Sequence, residues 1–174
     1  KRLIPNYDVF DERRYFSYDS TFKPIEINGI KTGILICEDL WDTHYETKPA
    51  KELVKNGAHL LIVINASPFH IDKFKLRRNL ISTKSETFNI PIIYVNMVGG
   101  LDEIVYDGRS FVTNENGEII YKANAFKEDI FSFNLKIGEG TVVSGEISSI
   151  DWGSGPHFLK IEMDPSGGTD YILN

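Results

Sequence analysis

The sequence contains very little cysteine: Cys37 is the only one among 174 residues. A single cysteine excludes an intrachain disulfide and is typical of reducing compartments, which predicts a cytoplasmic location. No apolar run reaches the ~20 residues of a membrane-spanning helix, so we expect no membrane association. Basic residues are fewer than acidic ones, 19 against 25. The formal net charge of −6 argues against nucleic acid and anionic membranes as partners.

Methionine and histidine are scarce as well. The chain begins with Lys1 inside a motif-like segment and its only methionines are Met97 and Met163, so we expect the natural N-terminus to lie upstream. The four histidines lack the spacing of metal ligands, which predicts that the chain binds no metal. With 41% hydrophobic and 25% charged residues, the composition is typical of a globular domain.

Hydrophobic patterning predicts alternating strands and helices. The predicted elements are, in chain order, a hairpin over 24–37, a helix over 49–56, a strand over 59–65, a helix over 72–89, a strand over 91–98 and a β-meander to about residue 135. Asn28-Gly29 is a strong signal for the hairpin turn, and Gly99-Gly100 is expected to end the last buried strand in a tight turn. This order indicates an α/β protein with a mixed sheet.

The composition changes near Ile137. Residues 137–174 hold seven of the 14 glycines and a single basic residue, Lys160. Glycine-rich turns at 153–156 and 165–168 predict short strands or an irregular tail. We therefore predict one domain over 1–136 and a Gly-rich β tail over 137–174, and this tail is a candidate for a segment foreign to the domain.

The strand that ends at Cys37 carries the strongest functional signal. A side chain at the carboxyl end of a buried strand is held rigidly yet opens into a crevice, where α/β proteins place their chemistry. Glu38 and Asp39 follow at once and are interpreted as turn or helix-start residues. A thiolate here would be a nucleophile for acyl transfer, with Lys1 stabilising the oxyanion and Glu12 moving the proton to the leaving ammonia. The alternative is that Cys37 is a small buried hydrophobic residue.

Four segments carry motifs in a fixed order. They are 1–16 (KRLIPNYDVFDERRYF), 34–42 (ILICEDLWD), 65–69 (NASPF) and 98–110 (VGGLDEIVYDGRS). Together they resemble the nitrilase-type glutaminase domain of glutamine-dependent NAD synthetases. The resemblance implies a nitrilase-type α-β-β-α sandwich, of which this chain holds the C-terminal part. It implies hydrolysis of L-glutamine through a cysteine thioester, with the ammonia used for NAD synthesis.

The resemblance also implies roles for individual residues. Cys37 would be the nucleophile, Lys1 the oxyanion-stabilising cation and Glu12 an additional glutamate that orients the site. Contacts with glutamine are implied for four side chains, namely Tyr7, Trp41, Ser67 and Lys73. The base glutamate of the Glu-Lys-Cys triad would lie upstream of Lys1, which predicts that this chain alone is inactive.

Partners and cofactors follow from the same resemblance. Amide hydrolysis needs no cofactor, whereas ATP and Mg²⁺ would be needed only by a synthetase domain that this chain lacks. The family implies a homo-oligomer for the full-length protein. Two functional alternatives stay open: a carbon–nitrogen hydrolase acting on another amide or nitrile, and a catalytically inactive fragment or binding module.

Each site assignment also has a structural explanation that the residues alone leave open. The alternative explanation of Lys1 and Lys73 is a solvated charge, and that of Glu12 is one partner of a surface ion pair. The aromatic residues are equally explained as core side chains and Ser67 as a turn residue.

Overall fold

The computed structural model describes residues 1–137, 141–149 and 163–164. The strands in chain order are β1 (Ile25–Ile27), β2 (Ile30–Ile36), β3 (Leu60–Asn65), β4 (Ile92–Asn96), β5 (Val98–Leu101), β6 (Ile104–Asp107), β7 (Phe111–Thr113), β8 (Ile119–Lys122), β9 (Asp129–Ile137), β10 (Thr141–Ser149) and β11 (Met163–Asp164). The two α-helices are α1 (Pro49–Lys55) and α2 (Lys73–Phe88). Six strands form the main sheet in the order β1-β2-β3-β4-β7-β8.

The centre of the main sheet is parallel. β2 pairs with β3 and β3 with β4 in parallel, whereas β1, β7 and β8 add to the two sides in antiparallel orientation. All five residues of β4 are buried, as continuous apolar runs predict for strands covered on both faces. The predicted mixed sheet is therefore confirmed. In the β1–β2 turn, Asn28 and Gly29 have φ of 48° and 79°, the paired positive values of a two-residue hairpin turn.

Helices cover one face of this sheet and a hairpin covers the other. Leu53 of α1 and Ile81 of α2 pack against Leu61, Val63 and Tyr94 in one core cluster. The helix predicted over 72–89 is confirmed, and its Phe74 and Phe88 pack against the same cluster as Ile81. On the opposite face, β9 contributes three buried side chains to a second cluster, namely Phe133, Leu135 and Ile137.

The expected turn at Gly99-Gly100 is wrong. β4 already ends at Asn96, and the N–H of Met97 donates to the carbonyl of Asn65, 2.9 Å away. Gly99 and Gly100 lie inside β5, which pairs antiparallel with β6 as a separate two-stranded sheet. Gly99 adopts a φ of 128°, which other residues rarely tolerate. The run of strand-forming residues from 91 to 98 is interrupted only by Asn96 and did not indicate that the strand ends there.

A long hairpin crosses the predicted domain boundary at residue 136. β9 extends to Ile137 and pairs with β10 along nine residues. β10, which lies in the predicted tail, is longer than the short strands expected there. The division into two domains stays a prediction. The Gly-rich turns predicted at 153–156 and 165–168 lie outside the described residues. Within the described residues, no helix has the length and apolarity needed to cross a membrane.

Gly33 provides a test of the packing between β2, β3 and α1. A Cβ atom here would lie 2.6 Å from Leu61 Cδ2 and 2.9 Å from Leu53 Cδ1. We expect Gly33→Ala to lower the free energy of unfolding by about 1–3 kcal/mol through overpacking, measured by chemical denaturation. Gly100→Ala is the matched control, because its nearest neighbour would be 3.9 Å from the added Cβ. Equal denaturation midpoints for the two variants would contradict this packing.

Candidate active site

Cys37 lies at the edge where the parallel strands end. It directly follows β2 and opens a 3₁₀ turn, Cys37–Leu40. Its φ of 45° is in the left-handed region, a conformation that costs a non-glycine residue about 1–3 kcal/mol and is concentrated at functional sites. Asn65 and Asn96, the last residues of β3 and β4, are paired at the same edge. The strand ends therefore converge around the cysteine, as predicted.

Cys37 lines an open cavity of about 350 Å³. The other lining residues are Tyr7, Phe10, Glu38, Trp41, His44, Tyr45, Ser67, Pro68 and Lys73. All four side chains predicted to contact glutamine are in this set. Tyr7 is 47% exposed and so is not the core aromatic that the alternative required. Residues from three distant segments thus meet in one space with the thiol.

Lys1 and Glu12 form an ion pair beside this cavity, although neither is among its lining residues. Their side chains are only 15% and 25% exposed, so Lys1 is not a solvated terminal lysine. The charges of both residues act on the thiol of Cys37: the ammonium favours the thiolate and the carboxylate opposes it. The structure therefore brings the predicted nucleophile, cation and additional glutamate together.

The thiol of Cys37 is protonated at neutral pH. Burial raises its pKa to about 11, and the carboxylates of Glu38 and Glu12 add to the rise. Lys1 and, more weakly, Lys73 oppose this shift by favouring the thiolate. Since the thiolate is the reactive form, attack on an amide from this state needs a base to remove the proton.

Glu38 is a buried carboxylate that the sequence interpretation treated as a turn residue. It is 5% exposed and accepts hydrogen bonds from the hydroxyls of Tyr7 and Tyr45, each at 2.8 Å. Burial, followed by the hydrogen bond to Glu38, raises the pKa of Tyr45 to about 12 and also raises the pKa of Tyr7. Both phenols therefore stay protonated and donate to Glu38, which places a fixed negative charge on the cavity wall.

Two further carboxylates in this turn region are buried. Asp39 is 0% exposed, and its Oδ1 accepts from the backbone N–H groups of Arg2 and Leu3 while Oδ2 accepts from that of Ile36. Asp42 is 4% exposed and pairs with Lys84 at 2.6 Å. Carboxylates are rarely buried without partners, and each of these has its own.

Lys73 supplies a positive charge to the wall of the cavity. It is the first residue of α2, and its ammonium lies 4.4 Å from the centroid of the Trp41 ring. Burial, and then the nearby charge of Arg77, lowers its pKa, whereas Cys37 and Glu38 raise it. A cation packed on an indole face is held in place without a carboxylate partner, which leaves its charge available to an anionic group.

Ser67 is almost completely buried, at 2% exposure. Its N–H donates to Asn96 Oδ1 at 3.0 Å, its carbonyl accepts from Arg77 Nη2 at 2.7 Å, and its hydroxyl accepts from Arg77 Nε at 3.3 Å. Arg77 in turn pairs with Asp107 at 2.6 Å, and both side chains are 0% exposed. A buried ion pair therefore holds the Ser67–Pro68 loop against the cavity, and no sequence pattern predicted this pair.

The described ranges contain no group of three or more His, Cys, Asp or Glu side chains arranged to hold a metal ion. The groups that converge on the cavity are a thiol, carboxylates, an ammonium group and phenols. This set favours acid–base and nucleophilic chemistry on an organic substrate.

A family model for carbon–nitrogen hydrolases matches residues 1–143. The chain therefore belongs to the carbon–nitrogen hydrolase family. It is 37% identical over 157 residues to a glutamine-dependent NAD(+) synthetase from Synechocystis sp., an alignment that covers 86% of this chain and 28% of the relative. Over 139 residues it is 40% identical to the corresponding synthetase of Aquifex aeolicus, covering 80% of this chain and 24% of that protein.

Solved structures give the same result. The chain matches the glutamine-dependent NAD+ synthetase of Acinetobacter baumannii with a TM-score of 0.69 at 34% identity, covering 91% of this chain and 28% of that one. It matches a carbon–nitrogen hydrolase of Helicobacter pylori G27 with a TM-score of 0.59 at 28% identity, covering 71% and 46%. These matches confirm the resemblance and fold class predicted from the motifs. The chain spans only about a quarter of the synthetases.

The protonated state of the half-buried Cys37 thiol can be tested by alkylation. We expect iodoacetamide at about pH 8 to modify Cys37 at least ~100-fold more slowly in the folded chain than in the urea-unfolded chain, because the thiol pKa is raised. Intact-mass spectrometry measures the rate. Lys1→Met removes the ammonium that favours the thiolate and should slow the reaction several-fold further.

Lys51→Met is the control for that lysine substitution, because Lys51 is exposed on α1 and absent from the groups that shift the thiol. Its alkylation rate should equal that of the parent chain. Equal rates in the folded and unfolded parent, or equal effects of the two lysine substitutions, would contradict this account of the site.

Proposed function

We propose that this chain hydrolyses the side-chain amide of L-glutamine through a thioester on Cys37, as part of a longer glutamine-dependent NAD synthetase that uses the ammonia. One observation carries the substrate assignment: the thiol shares its cavity with a buried carboxylate, Glu38, and with the cation of Lys73. The synthetase relatives make NAD synthesis the use that we propose for the ammonia.

A free amino acid presents an ammonium group and a carboxylate on the same carbon, and the cavity offers a complement for each. The Glu38 oxygens are fixed by two tyrosines and have further lone pairs for an α-ammonium group. Lys73 is available for the α-carboxylate. A cavity of about 350 Å³ lies at the lower end of the range for small-molecule sites, which suits a compact substrate. With both ends held, the side-chain amide is directed to the thiol.

The reaction divides into two balanced steps. The Cys37 sulfur, after loss of its proton to a base, attacks the amide carbon, and the C–N bond breaks as the proton is delivered to the departing nitrogen, giving ammonia and a thioester. Water then loses a proton to the base and attacks the thioester, the C–S bond breaks, and glutamate leaves with the thiol restored. No cofactor takes part in either step. ATP and Mg²⁺ belong to the synthetase reaction.

Lys1 is the proposed stabiliser of the oxyanion in both steps. Its charge reaches the thiol, and a preorganised donor at a developing oxyanion is worth about 3–4 kcal/mol in hydrolases. The N–H of Glu38 is a second candidate donor, because the first N–H groups of a helical turn have no partner within the turn. Glu12 holds the Lys1 ammonium and so orients this cation.

The general base is proposed to come from outside these residues. Near the thiol, the Glu12 carboxylate is paired with Lys1, and Glu38 accepts two tyrosine hydroxyls, so each already has a defined task. A glutamate from the remaining part of a longer protein would complete the site. The same longer protein would carry the synthetase domain, form a homo-oligomer and work in the cytoplasm, where a lone free cysteine stays reduced.

Covalent labelling tests the substrate. In the full-length protein, which would supply the base, we expect an L-glutamine analogue with a diazoketone in place of the amide to label Cys37 selectively, because Glu38 and Lys73 direct its reactive carbon to the sulfur. L-Glutamine should protect against labelling, and Glu38→Gln should lower the labelling efficiency by ~10-fold or more through loss of a charge-assisted hydrogen bond. Peptide mass spectrometry locates the adduct.

The D-enantiomer is the control, because it presents the same electrophile with the α-groups misplaced. Labelling at other residues, equal labelling by both enantiomers, or no protection by L-glutamine would contradict the assignment. Better protection by a simple amide that lacks the α-groups would select the broader alternative, a carbon–nitrogen hydrolase of different substrate.

Turnover by this chain alone tests the proposed external base. Each proton transfer that a base assists is worth ~10²–10⁴-fold, so we expect no ammonia release from L-glutamine above the level of a Cys37→Ala variant. A coupled assay with glutamate dehydrogenase measures the ammonia. Release that disappears in Cys37→Ala would show that this chain supplies the base itself and would contradict the proposal.

A further inference from the structure

The carboxylate of Asp39 connects two separate parts of the chain. It is 0% exposed. Oδ1 accepts hydrogen bonds from the backbone N–H groups of Arg2 at 2.8 Å and Leu3 at 2.7 Å. Oδ2 accepts one from the N–H of Ile36 at 3.0 Å. A single side chain thereby joins the entry segment, residues 1–19, to the end of β2.

Each of these donors lies next to a residue of the proposed chemistry. Arg2 directly follows Lys1, and Ile36 directly precedes Cys37. The planar peptide group that carries the N–H of Arg2 also contains the carbonyl and Cα of Lys1. Holding that group therefore fixes the point from which the lysine side chain starts. The same carboxylate fixes the last peptide of β2 before the strained backbone of Cys37.

The entry segment is not joined to the sheet by backbone strand pairing among the described residues. In the described part of the chain it contributes no strand to any sheet, so its position depends on loop and side-chain contacts. Besides Asp39, the hydrogen bond from Tyr7 to Glu38 connects it to the same turn. Hydrogen bonds to an ionised acceptor are stronger than neutral ones, which gives the three bonds of Asp39 particular weight.

We propose that Asp39 is a positioning residue, which holds the Lys1 ammonium beside the Cys37 sulfur by binding the backbone of both segments. This inference rests on the proposed function for the roles of Lys1 and Cys37. Asp39 acts through Lys1 and is not itself a catalytic residue.

A double-mutant cycle tests the proposal. Asp39→Asn keeps the size of the side chain but replaces one acceptor oxygen by an amide donor that faces a backbone N–H. We compare iodoacetamide alkylation of Cys37 across about pH 7–10 in the parent, Lys1→Met, Asp39→Asn and the double variant. Asp39→Asn should slow the reaction at pH 8 by roughly 3- to 10-fold, equivalent to a thiol pKa higher by half a unit to one unit. In the Lys1→Met background it should not slow the reaction further.

The sign of the effect separates positioning from simple charge loss. Removing a negative charge near a thiol would by itself lower the thiol pKa and speed alkylation. Slower alkylation after Asp39→Asn is therefore the result of a displaced lysine. An unchanged rate, a faster rate, or equal slowing with and without Lys1 would overturn the proposal.

Asp42→Asn is the matched control for burial of a carboxylate in this region. Asp42 is 4% exposed, but it pairs with Lys84 of α2 and not with the entry segment. Its substitution should lower the melting temperature while leaving the alkylation profile and the effect of Lys1→Met unchanged. A purely structural role for Asp39 would give the same pattern as Asp42→Asn.

A second pair of variants decides the question if Asp39→Asn does not fold. Arg2→Pro removes one N–H donor and leaves the carboxylate intact, whereas Arg2→Ala keeps the donor. Slower alkylation with proline and not with alanine supports the proposal, and equal rates overturn it. The two proposals can fail separately. If the effects of Lys1→Met and Asp39→Asn are coupled but L-glutamine does not protect Cys37 from labelling, the substrate assignment alone is refuted. If L-glutamine protects Cys37 but the two substitutions are not coupled, the positioning role alone is refuted.

Discussion

Parallel pairing of β2, β3 and β4 brings the carboxyl ends of three adjacent strands to one edge of the sheet, with Ile36 opposite Ile64 and Asn65 opposite Asn96. The site depends on this alignment. β2 delivers Cys37, and the segment after β3 delivers Ser67 and Lys73. Since the strands are packed by helices on one face and by β9 on the other, their ends have little freedom to move.

Three buried carboxylates lie near the thiol in the chain, and each has its own partners. Glu38 is held by two phenols, Asp39 by three backbone N–H groups and Asp42 by Lys84. A buried carboxylate without such partners would be strongly destabilising, so each arrangement is needed before its negative charge can serve the site. Desolvation raises the pKa of the Cys37 thiol to about 11, so the thiol stays protonated and is not nucleophilic without a base.

Local patterns were sufficient to predict the hairpin, the parallel strands and the two helices, because apolar periodicity and turn residues specify them within a few positions. They also placed Cys37 at a strand end. The burial of Glu38 and Asp39 could not be predicted, because carboxylates directly after a strand have the composition of an exposed turn. Asp39 accepts hydrogen bonds from the backbone N–H groups of Arg2 and Leu3, which lie 37 and 36 positions away. Arg77 carried no signal either, since its partner Asp107 lies 30 positions away and its helix is rich in exposed basic residues. The site residues were predicted through the resemblance to a family, and their roles remain predictions.

The central claim is that the Cys37 sulfur, the Lys1 ammonium and the Glu38 carboxylate act on one bound amino acid. A crystal structure of Cys37→Ala with L-glutamine tests this most directly. The account predicts the side-chain amide next to residue 37 with its oxygen toward Lys1, and the α-ammonium group hydrogen-bonded to Glu38. Glutamine bound with its amide directed away from residue 37, or a Lys1 ammonium in open solvent, would contradict it.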